Sequence, residues 1–223
     1  MMTRSFEPPA APRRVLATRN ADWSRGLARR LATLGVRPNA VSVAGVGFAL
    51  ASGTAFYVSP ASARDGRVAL LLAAAACIQL RLLCNLLDGM LAVEEGLKTR
   101  TGEIFNDLPD RIADVLILVG AGYAERPLTY GGTLGWAAAV VAMFTAYVRV
   151  LGGSLNLTQP FIGPMAKQHR MFTLTVFTLL AAIEALAGLP SRAIPAGLAV
   201  IVAGSVATAM RRTRRILREA EAR

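Results

Sequence analysis

The sequence contains few of the side chains on which many catalytic and metal sites depend. It has a single histidine and two cysteines among 223 residues. With one histidine no Ser/His/Asp set can be proposed, and no Cys/His cluster has the spacing of a zinc site. No glycine-rich phosphate-binding loop occurs either. We expect the lone histidine, His169, to be a surface residue beside Arg170.

The two cysteines do not predict a disulfide. Cys77 and Cys84 lie two turns apart on one predicted helix, too far apart to bond without distortion. We expect both to be reduced, buried and structural. The first 14 residues also lack the apolar core of a signal peptide, so we expect the first membrane helix to act as the targeting signal.

Acidic residues are scarce, and apolar residues are abundant. The chain has 14 Asp and Glu against 25 Lys and Arg, a net charge of +11, 54% hydrophobic residues and a mean hydropathy of +0.45. Apolar runs close to the ~20 residues that span a bilayer predict an all-α integral membrane bundle of about six transmembrane helices. These runs cover residues 41–58, 68–87, 106–124, 133–151, 171–189 and 194–210.

The distribution of arginine predicts the orientation in the membrane. Arginines crowd the N-terminal arm and the C-terminal tail, whereas the connections at 59–67, 125–132 and 190–193 carry few. The positive-inside rule therefore places both termini, and the loops at 88–110 and 152–170, in the cytoplasm. We expect the membrane to be the cytoplasmic (inner) membrane of a bacterium. Because this rule explains the basic charge, no nucleic-acid partner is predicted.

Four segments follow from the same patterns. Residues 1–19 form an Arg/Pro-rich arm that we expect to be disordered, and residues 20–37 a juxtamembrane amphipathic helix. We expect residues 38–212 to form the six-helix transmembrane domain and residues 213–223 a basic cytoplasmic tail. One face of the amphipathic helix carries Trp23, Leu27, Leu31 and Leu34, and the other carries Arg25, Arg29 and Arg30. This pattern favours a helix lying in the membrane interface, although an ordinary solvated helix packed on the bundle is the alternative.

Polar and acidic groups interrupt the apolar sequence over residues 85–111, NLLDGMLAVEEGLKTRTGEIFNDLPDR. Such groups are costly near a membrane and need a functional reason. Helical spacing puts one set of residues on a single stripe: Asn85, Asp88, Gly89 and Ala92. A second set recurs every fourth residue: Gly102, Asn106, Asp110 and Asp114. Two helices facing along these stripes would form an oxygen-lined pocket for a hard cation that holds a phosphate.

These residues resemble the signature of the CDP-alcohol phosphotransferase family, D-x2-D-G-x2-A-R-x8-G-x3-D-x3-D. With every spacing preserved, the matching positions are Asp88, Gly89, Ala92, Gly102 and Asp110. The departures are Asn85 and Asn106 in place of the first and third aspartates, and Val93 in place of arginine. The resemblance implies Mg2+ or Mn2+ held by Asp88 and Asp110, with Asn85 and Asn106 as amide ligands. It also implies that Asp110 is the catalytic base and that Gly89, Ala92 and Gly102 lie at the nucleotide.

The two asparagines remove half of the formal charge of such a cage. Metal affinity should fall, because an amide oxygen contributes a dipole where a carboxylate contributes a full charge. One alternative is that Asp107 or Glu103 supplies the missing charge. Another is that the ions bind together with the substrate diphosphate. A third hypothesis is that the chain is a non-catalytic relative of these enzymes.

Two further segments resemble the family. The residues Pro38, Asn39 and Ser42 match the start of its first spanning helix, where Pro suits a first turn and Ser42 can cap free backbone donors. The resemblance adds Asn39 and Ser42 as nucleotide-pocket candidates.

A basic cluster follows the fourth apolar run. It comprises Arg149, Lys167 and Arg170, and its spacing is similar to that of the phosphatidylinositol-phosphate synthases within the family, where such groups bind the acceptor's phosphate. An arginine at position 149 should face a polar cavity or a partner charge. The alternative is that Lys167 and Arg170 are topological charges and that Arg149 snorkels to the headgroups. Similarly, Arg81 can pair with Asp110 or Asp114, or bind the diphosphate.

The resemblance therefore implies transfer of a phosphatidyl group from CDP-diacylglycerol to a polar alcohol with release of CMP, by a homodimer in membrane lipid. The candidate acceptors include phosphorylated alcohols. The alternative is a catalytically silent membrane protein that binds lipid or nucleotide and acts through partners.

Overall fold

The computed structural model describes residues 22–93, 96, 102–125, 129–157 and 162–222. Within them the regular structure is helical. The helices are α1 Asp22–Thr33, α2 Pro38–Val58, α3 Arg64–Val93, α4 Gly102–Gly122, α5 Thr129–Ser154, α6 Lys167–Ala187 and α7 Ala193–Glu221, with a short 3-10 helix at Ser59–Ala61 between α2 and α3. The predicted arm at 1–19 lies outside the described residues.

Helices α2–α7 correspond one to one to the six apolar runs, so the predicted all-α membrane bundle is confirmed. Five of them are long and apolar enough to cross a membrane. Helix α4 has 21 residues, but its first turns contain Glu103, Asp107, Asp110 and Arg111, which lower its hydropathy. This polar end belongs to the site described below.

The bundle is built around α2 and α4, and small residues let the helices approach closely. Helix α2 packs against α3 and α4, α3 against α6, and α5 against α4 and α7. At the α2–α4 crossing Gly53 faces Gly120, and a Cβ on Gly120 would lie 2.5 Å from the Gly53 Cα. Such close backbone approach is typical of membrane helices, where lipid supplies no hydrophobic drive between them.

The predicted amphipathic segment forms α1, which packs against α3. Ser24 and Ala28 are buried there, and Leu27 and Leu31 join the small apolar cluster beneath them. Trp23 remains exposed. An exposed tryptophan beside arginines suits a membrane interface, and that location stays a prediction.

The C-terminal basic segment is not a separate element. Helix α7 continues through the predicted boundary at 212/213 to Glu221. Arg212, at that boundary, is buried inside the bundle, whereas Arg211 is exposed. Both cysteines lie in α3 as free thiols, as predicted; Cys84 is buried and Cys77 half-buried.

Candidate active site

Asp88 is a buried carboxylate on α3 that is held by the neighbouring helix. It is 4% exposed, and its Oδ2 accepts a 2.6 Å hydrogen bond from the Ser42 hydroxyl of α2. The expected capping role of Ser42 is wrong, because Arg37 precedes α2 without a side-chain cap and Ser42 bonds Asp88 and the Pro38 carbonyl. Pro38 does begin the helix, as predicted. Asn39, in the same turn, is half-buried.

In the part of the chain that the structure describes, the second carboxylate oxygen of Asp88 is not hydrogen-bonded as the first one is. Oδ1 is buried and has no hydrogen-bond partner among the described residues. Leaving a buried carboxylate oxygen without a partner is costly, so the position favours a cation or a donor from a ligand. Asn85, one turn earlier on α3, is half-buried, as are Gly89 and Ala92.

Asp110 lies on α4 among three basic side chains, of which Arg81 and Lys167 are the nearer and Arg111 is 3.9 Å from Oδ2. Its Oδ1 accepts a 3.2 Å hydrogen bond from Arg81 Nη2, and its Oδ2 is paired with the Lys167 ammonium at the start of α6. Asp88 lies within electrostatic reach of both Asp110 and Lys167. The two aspartates that the sequence places on facing stripes therefore lie on the same side of α3 and α4, where Arg81 of α3 contacts Asp110 of α4.

Asp114, one turn after Asp110, is fully enclosed. It pairs with Arg81 at 3.2 Å and with Arg170 at 2.8 Å. The predicted pairing of Arg81 with Asp110 or Asp114 is confirmed, and Arg81 contacts both. Arg170 is 2% exposed and also donates to Thr145 and to the Met165 carbonyl. These contacts make Arg170 part of an internal ion pair. The acceptor-binding role of Arg170 stays a prediction.

Arg149 has the partner charge that its position requires. Its Nη2 lies 2.8 Å from the Asp107 Oδ1, and Arg111 approaches the same oxygen at 3.8 Å. Asp107, considered above as a substitute ligand, is therefore engaged by cations. The side chains of Asn106 and Glu103, and the surroundings of Gly102, lie outside the described residues. His169 is exposed, as expected.

The connection between α5 and α6 is held by two residues of α7 that the sequence patterns missed. Arg212 of α7 donates from Nε to the Ile162 carbonyl at 3.1 Å and from Nη1 to the Thr145 carbonyl at 2.8 Å. Thr208, one turn earlier, accepts a 2.9 Å hydrogen bond from the Met165 amide. Helix α7 thereby fixes the segment that leads into Lys167. The only sequence signal was the one-turn spacing of Thr208 and Arg212, which many helices share.

The described residues fit a divalent cation held partly by substrate. No group of three or more Asp, Glu, His or Cys side chains in this part of the chain could hold a metal by itself. Mg2+ is usually bound by one or two carboxylates together with substrate phosphates. The unpartnered Asp88 Oδ1 and the neighbouring Asn85 amide suit that mode of binding.

The fold is that of a solved membrane enzyme. Three crystal structures of the phosphatidylinositol phosphate synthase of Mycobacterium tuberculosis are similar to this chain. The complex with manganese and citrate has a TM-score of 0.72 and 20% identity over 87% of this chain and 88% of that one. The complex with bound CDP-DAG has a TM-score of 0.69 and 22% identity over 88% and 94% of the two chains. The apo form has a TM-score of 0.69 and 21% identity over 86% and 95%.

The sequence itself gives no comparable match. No protein-family model matches it, and no curated protein matches it. At this level of identity the solved structures establish the fold. Shared chemistry has to be argued from the residues of this chain.

Proposed function

We propose that this chain is a CDP-alcohol phosphotransferase that transfers a phosphatidyl group from CDP-diacylglycerol to a polar alcohol and releases CMP. The observation that carries the proposal is that Asp88 and Asp110, at the spacing of the family signature, are both buried and lie within electrostatic reach of each other inside this fold. Both carboxylates are at least nine-tenths buried in a membrane bundle, where charged groups without a function are rare.

The similar structures support both the donor and the cation. One contains CDP-DAG and another contains manganese. We propose that Asp88, Asn85 and Asn106 provide oxygen ligands for Mg2+ or Mn2+. The resemblance adds Asp110 as a ligand, although both of its oxygens contact basic side chains. When bound, the cation would neutralise the donor diphosphate and the departing CMP. The residues proposed to lie at the nucleotide are Asn39, Ser42, Gly89, Ala92 and Gly102.

The proposed reaction is a direct displacement at phosphorus. The acceptor oxygen forms a bond to the phosphorus that carries diacylglycerol, and the bond from that phosphorus to the CMP oxygen breaks. Asp110 takes the hydroxyl proton as the acceptor oxygen attacks. Arg81, held between Asp110 and Asp114, fixes the position of the Asp110 carboxylate.

The acceptor is proposed to be a polar, phosphorylated alcohol. Arg149 and Lys167 are half-buried and so remain within reach of a ligand, and arginine and lysine both bind phosphate. Arg170 is proposed with them from the sequence, although its guanidinium faces Asp114. We further propose a homodimer in the bacterial inner membrane, with both termini and the site on the cytoplasmic side.

A specific observation also favours the silent alternative. Both Asp110 oxygens contact cations, and Asn85 stands where the family has a ligand aspartate. A relative that binds lipid or nucleotide without turnover would tolerate such pairing.

The discriminating experiment is CMP release from CDP-diacylglycerol with Mg2+ or Mn2+, using purified protein and a panel of glycerol 3-phosphate, inositol phosphate, serine and simple polyols. We expect Asp110→Asn to lower turnover by about 10²-fold or more, as for loss of a general base. Asp65→Asn is the matched control, because Asp65 is an exposed carboxylate in the first turn of α3.

The Asn85→Asp/Asn106→Asp double variant completes the test, because it restores both family carboxylates. If neither the natural chain nor this variant releases CMP or binds CDP, the transferase proposal is wrong. Binding of CDP without turnover in both proteins would establish the silent relative.

A further inference from the structure

We infer that Lys167 is a built-in counter-cation for Asp110, so that the site holds one divalent ion, at Asp88, and not a second at Asp110. This inference deepens the proposed function and rests on it. It assigns the ion to the α3 side of the site and a protein ammonium to the α4 side.

The first step is the state of Asp110. Each of its two oxygens contacts a basic side chain, Arg81 at Oδ1 and Lys167 at Oδ2, and the carboxylate is 9% exposed. A divalent ion coordinated by Asp110 would lie beside both of these cations and be repelled by them, and relieving that repulsion would require one of them to leave the carboxylate. Separating a buried ion pair leaves an uncompensated charge away from water, which is strongly unfavourable.

The second step is the contrast with Asp88. Ser42, a neutral hydroxyl, is the side chain that donates to Oδ2 of Asp88, and Oδ1 has no partner among the described residues. Asp88 therefore has a lone pair available to a cation without the loss of any ion pair. The two aspartates have the same side chain, but the structure gives them different partners: a neutral hydroxyl at Asp88 and two cations at Asp110.

The third step concerns the location of Lys167. It is the first residue of α6, where the helix dipole disfavours a positive charge. Its ammonium is turned to Asp110, and Arg170, in the same turn, is turned to Asp114. Topological charges would reach outward to headgroups. Here two basic residues at a helix N-terminus instead point at the two α4 carboxylates.

The asparagines are consistent with this arrangement. Fewer carboxylates are needed when part of the positive charge belongs to the protein. Asn85 lies one turn before Asp88 and adds an amide oxygen on the side where we place the single ion.

The test counts bound Mn2+ per chain in purified protein with CDP present, by the electron paramagnetic resonance signal of free Mn2+. We expect about one ion per chain in the natural protein, since one or two carboxylates and substrate phosphates suffice for one ion. Lys167→Met removes the ammonium while keeping a long side chain, and we expect the count to rise to about two, an approximately twofold change. Lys167→Arg retains the charge and should keep the count of the natural chain.

Asp88→Asn should abolish the single ion in the natural background but leave about one in the Lys167→Met background, now at Asp110. Size-exclusion elution and thermal unfolding check that each variant is folded. Two ions in the natural chain, or an unchanged count in a folded Lys167→Met protein, would overturn the inference.

The same preparations separate this inference from the proposed function. One ion per chain without CMP release would contradict the proposed transferase function and support the counter-cation role of Lys167. CMP release with two ions per chain would support the transferase function and contradict the counter-cation role.

Discussion

The hydroxyl of Ser42 and the carboxylate of Asp88 form the link that joins α2 to α3 at the site. The hydrogen bond is 2.6 Å long, both residues are buried, and they lie 46 positions apart in the chain. A short hydrogen bond to a buried charge is worth more than one between neutral groups.

We therefore expect Ser42→Ala to cost about 1.5–3 kcal/mol in the free energy of unfolding, the range for hydrogen bonds to charged groups. Ser52→Ala is the matched control. Ser52 is also buried on α2 but donates to a neutral carbonyl, that of Ala74. Unfolding in detergent measures both, and the loss from Ser42→Ala should shrink in an Asp88→Asn background. Equal losses for the two serines would refute the assignment.

Arg81 is expected to be the most sensitive basic residue of the bundle. It is 2% exposed and contacts both Asp110 and Asp114. Arg81→Met removes one cation from two buried carboxylates, so we expect a loss of about 3–5 kcal/mol, as for other broken buried pairs.

The matched control for Arg81 is Arg215→Met. Arg215 pairs with Glu219 on the exposed face of α7, and its removal should change stability by at most about 0.5 kcal/mol. Adding Asp114→Asn to Arg81→Met should restore part of the stability, because one stranded charge is then gone. A similar small loss for both arginines would show that the Arg81 network contributes little.

The helices could be predicted from sequence because the bilayer imposes a length on apolar segments. Their ends could not, because polar turns carry no hydropathy signal. Helix α3 begins at Arg64, before the apolar run, and α7 continues to Glu221 through an arginine-rich stretch. The hydropathy pattern alone gives no reason to extend either one.

The site was predictable to the extent that its residues share one helix. The four-residue spacing of α4 predicted that Asp110 and Asp114 lie on one side, and both meet Arg81. Outside residues 81–114, contacts between distant segments carried no such signal. The bond from Ser42 to Asp88 and the burial of Arg170 depend on how α2 and α6 pack, which no local periodicity encodes.

Glycine packing between α2 and α4 gives a prediction about assembly of the bundle. A Cβ on Gly120 would meet the Gly53 Cα at 2.5 Å and the Gly53 carbonyl oxygen at 2.6 Å. Both are backbone atoms, so only separation of the helices relieves the clash. We expect Gly120→Ala to cost about 1–3 kcal/mol, the usual range for overpacking.

Gly47→Ala serves as the control, since Gly47 lies in the same helix as Gly53 and a Cβ there meets nothing within 4 Å. It should be neutral or stabilise the protein by up to about 1 kcal/mol through helix propensity. Thermal unfolding in detergent compares the two. Equal midpoints would show that the α2–α4 contact is looser than the structure indicates.

Arg212 provides a test of how α7 supports the site. It donates to the carbonyls of Ile162 and Thr145, and so connects α7 to the segment that leads into Lys167. We expect Arg212→Ala to cost about 1–3 kcal/mol, because the buried Thr145 carbonyl and the part-buried Ile162 carbonyl both lose a charged donor. Hydrogen exchange should increase in residues 162–166, and the acceptor KM should rise more than kcat falls. Arg211→Ala, one residue away on the exposed face, should leave all three unchanged. If Arg212→Ala lowered stability with no change in exchange at 162–166, Arg212 would support the bundle without positioning Lys167.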